Sequence, residues 1–223
     1  DISLIDKCPY LDEEKIRYLR ENLSVSDWRD ELIESLKKEV SNIDLKDIAP
    51  LIGAMLLDEG IVIRCTGVDY LIKKDGTIMP DTKNKWIKIL LLHYIRTGGK
   101  GDFTGRWISF SDLRGGLVKA STFHRDCETP LRELLDARYE ETVRILERLG
   151  GERVEGYPSQ LAIKIDLLPK VMVLILYSEG DEEFPSSLKI LFDAITPEFL
   201  DVESIIFLLE GLVHTINYFM TLN

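Results

Sequence analysis

Six basic side chains stand within residues 96–125: Arg96, Lys100, Arg106, Arg114, Lys119 and Arg125, against only Asp102 and Asp112. The same stretch holds Gly98, Gly99, Gly101, Gly105, Gly115 and Gly116. Arginine grips a carboxylate or phosphate through two parallel N–H groups. Glycine lets backbone amides approach a ligand closely and form anion-holding concavities. Trp107 and Phe110 offer flat faces for stacking. The chemistry so read is binding of a small anionic or planar ligand or cofactor by Arg106, Trp107, Arg114, Gly115, Gly116 and Arg125. The string is no dinucleotide fingerprint, since Gly99-x-Gly101 is followed by Gly105 one place late and a helix precedes it. It is no P-loop either. The competing structural account is two turns flanking a strand, with the arginines pairing the acidic ends of the molecule.

Gly180-Asp181-Glu182-Glu183-Phe184-Pro185 is a second candidate. Adjacent carboxylates can bind a divalent cation or serve as acid and base, here with His124 or Asp193. That makes a metal-dependent enzyme the alternative function. Neighbouring residues point in different directions, however. The structural account places the acidic groups and Pro185 at a helix N-terminus, with Phe184 plugging the core. His124, Asp126 and Cys127 form a third set. A cysteine–histidine pair makes a nucleophile when the thiol is activated, but no third, orienting group is identifiable. His93, inside an apolar helix, reads as a core histidine, and His214 reads the same way. No G-x-S-x-G, H-E-x-x-H or EF-hand loop occurs.

The elements that must carry these groups follow from periodicity. Trp28, Leu32, Ile33, Leu36 and Val40 fall at helical spacing, with Ser26 or Asp27 as N-cap. A second helix is expected from about residue 45 to 57, stopping at Gly60. Residues 61–80 read as two or three antiparallel strands, with Asp75-Gly76 as a hairpin turn. A helix is expected over 86–96, an extended stretch over 106–113 and a long amphipathic helix over 131–149. In that helix Leu131, Leu134, Leu135, Arg138, Val143, Leu146 and Leu149 share a face. Strands are expected over 160–165 and 171–177, then a helix over 186–192 and a core helix over 205–222. The fold class is therefore α+β: a small antiparallel or mixed sheet packed with several helices. Residues 1–58 form a helical N-terminal segment and residues 59–223 an α+β domain.

Composition narrows the partners. The chain has 223 residues, 45% hydrophobic and 30% charged, and a net charge of −11. Residues 1–60 carry net −7, residues 61–175 net +4 and residues 176–223 net −8. An acidic chain repels phosphate backbones, so no nucleic-acid partner is expected. An anion would be drawn to the middle third. The acidic ends can dock a basic protein partner, which is a third function class. The longest apolar run, residues 171–177, is too short to span a bilayer, and no membrane association is expected. The opening residues do not read as a secretory signal. Cys8, Cys65 and Cys127 are scattered and make no C-x-x-C pair, which fits a reducing, cytoplasmic setting. There the sequon at Asn22-Leu23-Ser24 is a chance match.

Several strings occur together: LLLHYI at 90–95, G-x-W-I-S-F-x-D-L-x-G-G at 105–116, and F-x-x-x-x-x-x-P-L at 123–131. They continue with L-G-G at 149–151, G-D-E-E-F-P at 180–185, L-F-D at 191–193, then Phe199-Leu200 and Glu203. This ordered set, over residues 60–215, resembles the domain-of-unknown-function family numbered 3786. The resemblance implies a cytoplasmic protein of an anaerobe, beside one-carbon or corrinoid metabolism. It supplies no catalytic residue. Some relatives append a four-cysteine iron–sulfur segment, and this chain lacks such a cluster. Tyr177 stands where relatives often have tryptophan.

Overall fold

The computed structural model describes residues 28–221, together with Arg17. The sequon at residues 22–24, Cys8 and the N-cap at Ser26 or Asp27 lie outside the described residues. The chain is α+β and divides into two units, one of residues 28–63 and 70–100, the other of residues 64–69 and 101–221.

In the first unit, α1 (Trp28–Ser41) buries Trp28, Leu32, Ile33, Leu36 and Val40, the five positions picked out by their spacing. α2 (Leu45–Ile52) begins at Asp44, whose carboxylate accepts the Lys46 N–H. It ends earlier than expected, because Gly53 adopts the left-handed conformation (φ 70°) and returns its N–H to Ala49. The residues after it become a strand. β1 (Met55–Leu57), β2 (Gly60–Cys65), β3 (Val68–Lys73) and β4 (Ile78–Met79) follow in that order across an antiparallel sheet. Asp75-Gly76 makes the expected turn, with Asp75 Oδ1 accepting the Thr77 N–H. α3 (Lys85–Thr97) is capped by Asn84 at its start and Gly98 at its end, and packs on α1.

The second unit is built on β5 (Trp107–Ser109), β6 (Glu152–Arg153), β7 (Leu161–Leu168), β8 (Val171–Ser178) and β9 (Ser187–Asp193). Their antiparallel order is β5-β9-β8-β7-β6. β9 replaces the helix expected over 186–192. Leu188, Ile190 and Phe192 are buried and alternate with exposed Ser187 and Lys189 and half-buried Leu191, a period of two. Pairing with β8 on one side and β5 on the other decides the state. The helical side comprises α4 (Gly116–Phe123), a π-helical turn (His124–Glu128), α5 (Thr129–Arg148) and α6 (Val202–Thr221).

α5 is broken at Arg138 (φ −145°, ψ 59°), so Arg138 is exposed and does not join the apolar face assigned to it. Buried Thr142 stands on that face instead. Its hydroxyl donates to the Leu134 and Arg138 carbonyls beside the break. α6 buries Ser204, Ile205, Ile206, Leu208, Leu209, Leu212, Val213, Ile216 and Met220. By length and composition alone it is also long and apolar enough to cross a membrane.

Candidate functional site

Asp193, at the end of β9, organises the glycine-rich loop before β5. Its carboxylate accepts N–H groups from Thr104 (3.1 Å), Gly105 (2.8 Å) and Ile195 (3.0 Å), and the Thr104 hydroxyl (2.9 Å). Burial pushes this carboxyl upward, but the hydrogen bonds outweigh it and hold the group below the usual carboxylate range. The loop therefore delivers Arg106 to the head of β5, where the Arg106 carbonyl accepts the Ala194 N–H.

After β5 the chain makes a single 3₁₀ turn (Phe110–Asp112), closed by Ser109 and Asp112. Phe110 stacks on Phe123 at 4.1 Å, and both rings meet Phe192. This aromatic cluster fixes α4 over the sheet. α4 opens at Gly115, held at φ 82°, a conformation that L side chains rarely adopt. A Cβ on Gly116 would lie 1.8 Å from the Phe110 carbonyl oxygen. The first turn of α4 has no side-chain cap and no acidic residue. The Gly116 N–H is taken by the Leu113 carbonyl (2.8 Å), and the amides that follow it stand at the positive end of the helix dipole. Arg114, exposed beside them, has no ion-pair partner among the described residues.

Arg114, Gly115 and Gly116 stand together at the start of α4, whereas Trp107 is carried on the other face of the sheet. Strand register puts Trp107 opposite Asp193, on the sheet face away from Phe192 and α4. Arg106 precedes it at the strand's head and is exposed. Arg125 lies two turns on, in the π-helical turn, where Asp126 takes both its Nε and Nη2 at 2.6 Å. Of the other cations in the stretch, Lys119 pairs with Glu203 (2.5 Å) and Arg96 with Glu39 (3.3 Å).

The acidic turn lies between β8 and β9, so the helix N-terminus assigned to it does not exist. Phe184 is 67% exposed and plugs no core. Asp181 Oδ1 accepts the N–H groups of Glu183 and Phe184, both at 2.8 Å, which holds it below the usual range. The two residues considered with it are engaged elsewhere: Asp193 as above, and His124 with Glu128 (2.9 Å). Among the described residues no three His, Cys, Asp or Glu side chains are grouped to hold a metal.

Cys127 is buried. Its thiol points to the Ile206 carbonyl (3.7 Å), and burial, then nearby carboxylates, raise it far from the thiolate form. Burial likewise pushes Cys65 up to about 12. In native protein at pH 7.5, both should resist iodoacetamide, with rates at least tenfold below those in urea. Peptide mass mapping reads this, and equal rates would contradict the burial. His93 is buried, as a core histidine is, and accepts from Arg96 at Nδ1 (2.8 Å). His214 is exposed, not core, because the apolar stripe of α6 runs through Val213 and Ile216.

Sequence reasoning missed one polar network. Asp136 accepts the Tyr177 hydroxyl, the Ser186 hydroxyl and Arg132 Nη1, each at 2.8 Å. Burial, then the bond to Asp136, pushes the Tyr177 phenol up to about 12. The i,i+4 spacing of Arg132 and Asp136 was the one local signal. The other members come from β8 and from the turn before β9.

No curated protein and no solved structure matches the chain. Residues 44–215 match the model of the family described as Domain of unknown function (DUF3786). That span starts at the N-cap of α2, runs through the glycine-rich loop and α4, and ends within α6. The chain belongs to the DUF3786 family.

Proposed function

We propose that this chain is a binding or accessory domain, acting in the cytoplasm, that holds a small anion or the anionic group of a cofactor at the N-terminus of α4. The observation that carries the proposal is Arg114, without an ion-pair partner among the described residues, beside a helix start with no side-chain cap in a chain of net charge −11. Backbone amides and the helix dipole favour a phosphate or carboxylate there, and Arg114 adds a bidentate donor. Trp107 lies on the other sheet face, so planarity of the ligand is not part of the proposal. No reaction is assigned.

Inorganic phosphate, titrated calorimetrically at low ionic strength, is the first probe. Arg114→Ala should weaken binding by about tenfold or more, as loss of a charged hydrogen bond does. Equal affinity in both proteins, or none in the parent, refutes the site. Leu117 and Val118, 77% and 83% exposed on α4, favour a second reading in which a protein partner carries the anion. Capture of such a partner that Leu117→Ser abolishes would support it.

A further inference from the structure

The acidic turn is a preformed tip rather than a metal site. Asp181 donates its N–H to the Phe184 carbonyl (2.8 Å), closing the loop on itself. One stem is fixed where Glu179 donates its N–H to Gln160 Oε1 (3.0 Å). The other is fixed where Ser186 joins Arg132 and Asp136 on α5. This frame holds Phe184 outward, with the exposed Glu182 and Glu183 beside it. Neither glutamate has a side-chain partner among the described residues. An ordered aromatic tip loses little entropy on docking.

The same unit carries a surface of opposite character. Among the described residues, a cavity of about 360 Å³ is lined by Glu141, Arg144, Ile145 and Arg148, one face of α5 at i, i+3, i+4 and i+7. Ile145 is buried beneath it. Arg144 is oriented by its Nε donating to the Glu140 carbonyl (3.2 Å), and Arg148 lies over the Phe219 ring at 4.7 Å. Neither arginine has a carboxylate partner among the described residues, whereas Glu141 is paired with Arg138.

We infer that a second copy of this chain is the occupant: the Phe184 ring seats against Ile145, and Glu182 and Glu183 meet Arg144 and Arg148. Two carboxylates and a ring face two guanidinium groups and an apolar floor, which is the charge argument for self-pairing. The tip is anchored at residues 132 and 136, before the break at Arg138, and the groove lies beyond it. Two copies with antiparallel α5 helices place each tip at the other's groove, so the contact occurs twice and the assembly closes as a dimer.

Sedimentation velocity of the full chain at tens of micromolar tests this. The parent should sediment as a dimer and weaken in high salt. Phe184→Ala, Glu182→Lys with Glu183→Lys, and Arg144→Glu with Arg148→Glu should each weaken association tenfold or more while circular dichroism stays unchanged. Combining the two charge-reversed pairs should restore the dimer. A monomeric parent, a dimer indifferent to the reversals, or failure of the combined reversal to restore it overturns the inference.

Discussion

Asp193→Ala should destabilise the protein by about 3 kcal/mol in urea unfolding, because three backbone amides and one hydroxyl lose their acceptor inside the structure. Asp193 is 1% exposed, so water does not replace the missing carboxylate. Asp193→Asn keeps one acceptor oxygen and should cost about half as much. The aspartate also sets a pH dependence. Its folded pKa lies below its unfolded value of about 3.9. Its contribution is therefore complete above that value and is lost as pH falls through the folded pKa. Near neutral pH the parent and Asp193→Asn should differ by a constant amount, and the gap should narrow below pH 4. A gap that widens in acid would contradict the assignment. Loosening of the 101–105 loop should appear as faster amide exchange at Thr104 and Gly105.

Gly116→Ala should cost about 2–4 kcal/mol, because the added Cβ meets the Phe110 carbonyl oxygen at 1.8 Å and its carbon at 2.9 Å. Both are backbone atoms, and the 3₁₀ turn they belong to is closed by Ser109 and Asp112. Relief requires α4 to move off the Phe110–Phe123 stack, which near-ultraviolet circular dichroism would register. Gly115→Ala is the control. It faces open space apart from Val202 at 3.8 Å, but must hold φ 82°. That strain is worth about 1–2 kcal/mol. Gly116→Ala should therefore unfold at lower temperature than Gly115→Ala, and should weaken phosphate binding by misplacing the first-turn amides. The reverse order would mean that the close approach is not what the turn requires.

How far these features were legible depends on whether their causes are local. α1 was readable because one stripe, Trp28 to Val40 at helical spacing, is the whole reason it packs. The Asp75-Gly76 turn was readable because the Asp side chain and the glycine act within four residues. β9 was not, since S-L-K-I-L-F-D is short, apolar and compatible with either state. The neighbours that settle it, β8 and β5, are distant or reversed in order. The face taken by Trp107 depends on register with Asp193, 86 positions away, so no spacing rule could join it to Arg114. The break at Arg138 has no proline or glycine to announce it. At 115–116 both positions require glycine, since one is left-handed and the other admits no Cβ. The arginines were less informative, because charge alone does not say which is spent on a neighbour. Arg125 is tied to Asp126, and Arg114 is not.

The most direct measurement is a phosphate titration of ¹⁵N-labelled protein followed by amide chemical shifts. The account predicts that the amides of Gly115, Gly116, Leu117 and Val118 move together in a saturable way, and that Arg114→Ala removes the response while leaving the rest of the spectrum in place. Shifts scattered over the surface, or a saturable response centred elsewhere and indifferent to Arg114, would contradict it.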